Sequence, residues 1–248
     1  MRDIYLGFKF AFSYFSILPA GFKPGDDLSS KKVLGTMLFF FPLVGFVLSL
    51  LSLGLYQILL PLAWFGAVIS ALAYMVFYGF IHTEAVIDVA DALYASHSNK
   101  DAYRIIKEPT VGAMGVLWGI LFVLLKVSGT VFFLMHNLFT EFVSIAIISR
   151  MSLLLLFYTQ TFRSSFLTQL KAAFSSAYFW GALVCFTLFG SLIGGIHFLV
   201  LLPAGLLLAY LTVAGIRKKL GFVNGDVLGT VLESVEIVLF TAGGLLWL

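Results

Sequence analysis

The sequence predicts an all-α integral membrane protein: a polytopic helical bundle of about seven transmembrane spans, preceded by an interfacial or re-entrant helix. Three observations predict it. Of the 248 residues, 61% are apolar and 11% charged, against about 45–50% and about 25% in a soluble domain. Mean hydropathy is +1.06. Charge is also absent over long runs, with no Asp, Glu, Lys or Arg between Val33 and Thr83 or between Ala177 and Ile216. A soluble globule of this length could not bury so much apolar surface. The composition excludes a soluble enzyme, a disordered chain and a nucleic-acid-binding module. A lone cysteine, Cys185, allows no intrachain disulfide and no cysteine metal site.

The elements follow in chain order within one domain, residues 1–248. No cleavable signal peptide is expected, because Met1-Arg2-Asp3-Ile4 has no clear cationic region and no small-residue cleavage site precedes the polar stretch at 21–32. Residues 4–18 are apolar and aromatic, but Lys9 interrupts them and Pro19 ends them. They fall short of the roughly 20 residues needed to span a bilayer, so they predict the interfacial helix. Spans are expected at about 33–59 and 63–83, divided near Pro61, then at 111–135 and 138–160, divided at His136-Asn137. Two more, about 177–194 and 197–215, divide at Gly194-Gly195, and the last runs from about 226 to 247.

Basic residues set the orientation. Lys31 and Lys32 precede the first span, which places its start in the cytoplasm. Loops 84–110, 161–176 and 216–225 then fall on the cytoplasmic side and carry Lys100, Arg104, Lys107, Arg163, Lys171, Arg217, Lys218 and Lys219. The outer turns near 61, 136 and 195 carry no Lys or Arg. An error of one span would have scrambled this agreement.

The acids gather in two stretches. The first is His82-Thr83-Glu84 with Asp88-Val89-Ala90-Asp91, followed by Asp101 and Glu108. At 100° per residue Glu84, Asp88 and Asp91 lie within about 60° of one another on a helix. Three carboxylates on one face repel unless a cation sits between them, and hard oxygen donors suit Mg²⁺. The second stretch is Asn224-Gly225-Asp226-Val227-Leu228-Gly229, with Glu233 and Glu236 further into the last span. Asp226 also has a plain reading as a helix N-cap. Carboxylates inside a span normally face a bundle interior or a wet cavity.

Two embedded bases, Lys126 and Arg150, need partners or a route to water. Lys126 lies about ten residues from either end of its span, a long reach for snorkelling, so Glu233 or Glu236 is its expected partner. Arg150 lies nearer the cytoplasmic end, where snorkelling to the interface is an even alternative to a buried partner or ligand. The cytoplasmic stretch with Arg104 and Lys107, running into Gly112-Ala113-Met114-Gly115, combines phosphate-binding bases with glycines that allow close backbone approach. Carboxylates for a metal, bases for phosphate and a membrane-level cavity together describe phosphoryl transfer on an amphiphilic substrate.

With these motifs the chain resembles the cobalamin (5′-phosphate) synthase family, the adenosylcobinamide-GDP ribazoletransferases. The landmarks run nearly end to end: Phe15-Ser16-Ile17-Leu18-Pro19, Phe41-Pro42-Leu43-Val44-Gly45, the His82-Thr83-Glu84 and Asp88-Val89-Ala90-Asp91 motif, Gly112-Ala113-Met114-Gly115, Ser149-Arg150, and Gly225-Asp226-Val227-Leu228-Gly229 with Glu233 and Glu236. Four positions depart from the family pattern. Glu84 stands where the family usually has Asp, Ala92 where it has Gly, Ile17 where it has Arg, and Glu108 where it has Asp.

The resemblance implies a reaction: adenosylcobinamide-GDP is joined to α-ribazole or its 5′-phosphate, GMP is released, and adenosylcobalamin or its 5′-phosphate forms. It implies Mg²⁺ held by Glu84, Asp88 and Asp91, with Asp226, and His82 second, as catalytic base towards the 5′-hydroxyl of an α-ribazole acceptor. Arg104, Lys107 and Arg150 would hold phosphate oxygens, and Lys126, Glu233 and Glu236 would complete the substrate site. It also implies a bacterial inner-membrane location with the site facing the cytoplasm, lipid contact, and a homo-oligomer or other corrinoid-pathway enzymes as protein partners. Two other readings fit parts of the pattern. Asp88-x-x-Asp91-Ala92 is similar to the start of the CDP-alcohol phosphotransferase signature, which is not completed downstream. The embedded Lys126, Glu233 and Glu236 would also suit an ion-coupled transporter, although no internal repeat supports one.

Overall fold

The structure, a computed structural model, describes residues 2–95, 102–107 and 110–247. Among these residues the regular structure is helical throughout. Helix α1 (Arg2–Phe15) is followed by α2 (Lys31–Phe39), α3 (Phe41–Ile58), a short 3₁₀ turn (Leu60–Leu62) and α4 (Trp64–Phe77). After α5 (Ile81–Ala95) and the single turn α6 (Ala102–Ile105) come α7 (Ala113–Met135), α8 (Phe139–Thr159), α9 (Ser165–Ala173), α10 (Ser176–Leu220) and α11 (Gly225–Trp247).

Helix α8 is the central post. It is apolar on nearly every face and buried on nearly every face, as a helix enclosed by its neighbours must be. Helices α3, α10 and α11 pack around it. Helix α7 is as apolar but turns most of its surface outward, which fits a lipid-facing position. Helix α1 is too short to cross a bilayer. It packs one face, Leu6, Gly7 and Ala11, onto α2, and a Cβ on Gly7 would come within 2.6 Å of the Thr36 side chain.

The structure alters the expected spans in two places. The expected span 33–59 is broken at Phe40, because Pro42 has no N–H to continue the ladder. Ser30 caps the first piece by accepting from the Val33 N–H at 3.3 Å. The expected span 63–83 ends early: Gly79 (φ +66°) and Phe80 (φ +55°) turn the chain, and α5 leaves α4 at 78°. His82 and Thr83 therefore open α5. A bulky residue such as Phe80 rarely adopts positive φ. The turn is held by Ile17, whose N–H donates to Phe77 O at 2.9 Å, so the N-terminal motif buttresses the acidic helix. The expected division at Gly194-Gly195 is borne out: α10 covers 45 residues but is broken at Gly195 (φ +55°, ψ −133°).

Among the described residues, five helices are long and apolar enough to cross a membrane: α3, α7, α8, α10 and α11. The number is six if α4 and α5 form one broken span. The expected count of about seven is not reached on that measure, which takes α10 once despite its break. The two ends of the bundle divide as the sequence divided them. Tyr56 meets Phe139, and His197 pairs with Glu141 at 2.5 Å and stacks on Trp247, which gathers the ends without Lys or Arg. At the opposite end the Arg163 N–H donates to Val223 O and Tyr103 lies under the Arg163 guanidinium at 3.9 Å.

Candidate active site

The two acidic motifs lie on adjacent helices. Gly229 makes this close approach possible: a Cβ there would come within 2.6 Å of the Ala85 Cβ. Thr230 clamps the pair by donating its hydroxyl to Ala85 O at 3.1 Å. The glycine of Gly225-Asp226-Val227-Leu228-Gly229 thus serves helix packing, and it brings the start of α11 beside the acidic face of α5.

Asp226 is not the cap of α11. Asn224 accepts from the Val227 N–H at 3.1 Å, and its amide donates to Asp226 Oδ2 at 2.6 Å. Capping by Asn224 frees the Asp226 side chain from that role. Asp226 is half-buried, with the Lys107 charge acting on it. The like charges acting on Asp88 come from Asp226, Glu84 and Asp91, and Lys107 opposes them. Residues from α5, α11 and the segment after α6 therefore form one electrostatic cluster. Glu84 is exposed and Asp88 half-buried. Arg104, also expected at the site, is exposed on α6. Lys100, Asp101 and Glu108 lie outside the described residues.

Asp91 is committed elsewhere. Its two oxygens accept the backbone N–H groups of Gly112 and Gly115, each at 2.6 Å, and so cap the start of α7. A Cβ on Gly112 would lie 2.5 Å from Asp91 Oδ1. The glycines read as room for phosphate are room for this carboxylate. Among the described residues no three acids, histidines or cysteines stand close enough to hold a metal by themselves. The donors that remain open, Glu84 and Asp88, are hard oxygens one helical turn apart, a fit for Mg²⁺, which takes one or two carboxylates and fills its shell with water and phosphate.

Deeper in the bundle, Lys126, Arg150, Glu233 and Glu236 pair with one another. Lys126 Nζ lies 2.6 Å from Glu233 and 2.5 Å from Glu236, and Arg150 pairs with Glu236. Tyr74 donates to Glu236 at 3.0 Å, Tyr78 to Glu233 at 2.8 Å and Ser149 to Glu236 at 2.8 Å. Arg150 also donates to the Tyr74 oxygen at 2.8 Å. Two cations and two anions balance, and all four side chains are at most 1% exposed. Arg150 does not snorkel. The sequence pointed to the carboxylate partners of Lys126 but missed Tyr74 and Tyr78. Their spacing of four in an apolar helix, two hydroxyls on one face, was the available signal.

His82 sits between the two layers. It is buried against the Tyr78 ring (centroids 5.3 Å apart), with the charges of Arg150, Lys126 and Glu236 nearby, and its Nε2 has no partner.

Fold and site together define a class: a multi-pass helical membrane protein that gathers carboxylates and a lysine at one end of its bundle, the equipment for handling a phosphate-bearing amphiphile. Residues 7–243 match the family described as cobalamin-5-phosphate synthase, and the chain belongs to that family. A relative from Brevibacillus brevis, an adenosylcobinamide-GDP ribazoletransferase, is 30% identical over 97% of this chain and 99% of its own length. One of the same description from Clostridium perfringens strain 13 is 26% identical over 95% of this chain and 96% of its own. No solved structure matches the chain. Family membership does not favour the CDP-alcohol phosphotransferase or transporter readings.

Proposed function

We infer that the chain is an adenosylcobinamide-GDP ribazoletransferase of a bacterial inner membrane, working at the cytoplasmic end of the bundle. The observation that carries this reading is the convergence of the α5 acids, Asp226 and Lys107, beside the Gly229 contact.

In the reaction, a ribose hydroxyl of the acceptor attacks the phosphate next to the corrinoid's aminopropanol arm. The new O–P bond forms, the bond to GMP breaks, and GMP leaves with the electron pair. An acceptor that carries a 5′-phosphate keeps it in the product, so the attacking hydroxyl lies elsewhere on the ribose. Asp226 takes the proton, because its charge acts among the α5 acids and the Asn224 amide holds one of its oxygens in place. Lys107 balances the carboxylates and holds a phosphate oxygen. Glu84 and Asp88 would hold Mg²⁺, which supplies charge neutralisation on the diphosphate when bound. Asp91 sets the start of α7 and so positions the loop that carries Lys107. The buried quartet keeps α4, α5, α7, α8 and α11 in register beneath the site.

Asp88→Asn tests the reading. The variant should reach the membrane and remain folded, because Asp88 is half-buried, yet transfer no ribazole. Turnover near that of the parent protein in this variant would overturn the role of the α5 acids.

A further inference from the structure

The charge of Lys107 acts on both Asp88 and Asp226. Yet Lys107 is exposed and stands two residues beyond α6, a single helical turn. Its N–H donates to Arg104 O at 2.9 Å, so it moves with that turn. Tyr103 lies four residues before Lys107 and ties the turn to the rest of the cytoplasmic end. Its ring packs edge-on to Phe222, 5.2 Å between centroids. The Arg163 guanidinium covers the ring at 3.9 Å, and the Tyr103 hydroxyl donates to Arg163 O at 3.4 Å. Lys107 Nζ comes 6.0 Å from the centre of the same ring.

Arg163 belongs to a fixed loop. Its N–H donates to Val223 O at 2.8 Å. Before it, Gln160 is held by Lys171, which donates to its carbonyl, and by Arg217, which donates to its side-chain oxygen at 3.2 Å. After it, Ser164 caps α9. Phe222 and Val223 are buried and lead into Asn224, which caps α11 and holds Asp226. Among the described residues the guanidinium makes no ion pair, and its hold is on two rings, Tyr103 and, at 5.6 Å, Phe222. We propose that Arg163 is a positioning residue for the transfer: it clasps Tyr103 against Phe222 and so keeps Lys107 at the distance from Asp226 that the donor's phosphate requires. The proposal rests on the transferase reading and adds what holds the phosphate-binding lysine in place. The role needs an arginine and a ring, because a planar guanidinium lies flat on an aromatic face and an ammonium does not. The clasp is also local. Arg163 is exposed and its bond to Val223 is made by the backbone, so changing the side chain leaves α9 and α11 in place and releases only the α6 side.

The test is a double-variant cycle with purified full-length protein, α-ribazole and adenosylcobinamide-GDP. Arg163→Met keeps the apolar stem and loses the charged plane. It should raise KM for the donor about tenfold, with kcat and KM for α-ribazole within about twofold, because a displaced binding group weakens the contact it makes. Arg163→Lys should not restore the donor KM. Tyr103→Leu should reproduce Arg163→Met from the other side of the clasp, whereas Tyr103→Phe keeps the ring and should stay within about twofold of the parent. In a Lys107→Met background, which itself raises the donor KM, Arg163→Met should change that KM by less than about twofold, because residues acting through one group are not additive. Effects that multiply in the cycle would overturn the proposal, since Arg163 would then touch the donor itself or act on the whole chain. So would an Arg163→Lys variant that behaves as the parent, or a Lys107→Met variant with an unchanged donor KM. These results require an active parent protein; if the parent releases no GMP from this donor, the transferase reading fails and the proposal falls with it, which is a distinct result.

Discussion

Replacing Lys126 with Met removes one charge from a closed, neutral quartet. Glu233 and Glu236 would remain, 1% and 0% exposed, with Arg150 alone to balance them. Lys126 touches both acids, at 2.6 and 2.5 Å, so Glu233 loses the charged partner it has among the described residues and keeps Tyr78 and Thr83 as hydrogen-bond donors. Breaking a buried ion pair on one side costs about 3–5 kcal/mol, because the surviving charge is left uncompensated. For a chain of this size that corresponds to a fall in Tm on the order of 10 °C. Lys126→Met combined with Glu233→Gln restores neutrality, since Gln can still accept from Tyr78 and Arg150 still pairs with Glu236. The residual loss should then shrink to about 1–2 kcal/mol, the scale of altered hydrogen bonds. The assay is thermal unfolding of the detergent-solubilised protein, followed by the loss of monodisperse material. If Lys126→Met melts with the parent, or if the double variant is no more stable than the single one, the quartet does not hold the bundle together as described.

Three further outcomes follow from the site. Asp226→Asn keeps the Asn224 contact but loses the base, so kcat should fall about 10²–10⁴-fold with donor KM nearly unchanged, measured by initial rates of GMP release. Asp91→Ala removes the cap of α7 and should cost about 1–2 kcal/mol of stability, read as a lowered melting temperature, together with a higher KM for the donor as the loop carrying Lys107 loosens. Stripping divalent cations with a chelator should abolish transfer, and adding back Mg²⁺ should restore it. Full turnover in the chelated enzyme would exclude the metal role of Glu84 and Asp88.

Much of the architecture was legible because a bilayer simplifies the code. Long uncharged runs mark helices, and the placement of Lys and Arg separates the two ends of the bundle. The acidic face of α5 was legible from helical periodicity alone, and so was the need of Lys126 for a carboxylate. What escaped depends on contacts between helices. Pro42 breaks its span at Phe40, a local rule that overall apolarity masked. The bend at Gly79-Phe80 relies on Ile17, more than sixty positions earlier. Asn224 takes the capping role that Asp226 could have filled, and Asp91 turns to α7 because Gly112 and Gly115 leave it space.

The central claim is that this bundle transfers a GDP-activated corrinoid to ribazole at the junction of α5 and α11. The most direct measurement is product and GMP formation by the purified protein with α-ribazole and, in parallel, GDP-linked and CDP-linked donors. The account predicts stoichiometric GMP and a ribazole-joined corrinoid from adenosylcobinamide-GDP, no turnover of a CDP-linked lipid precursor, and loss of both products in Asp88→Asn. Turnover of the CDP-linked donor alone, or GMP release that is unchanged in Asp88→Asn, would contradict it.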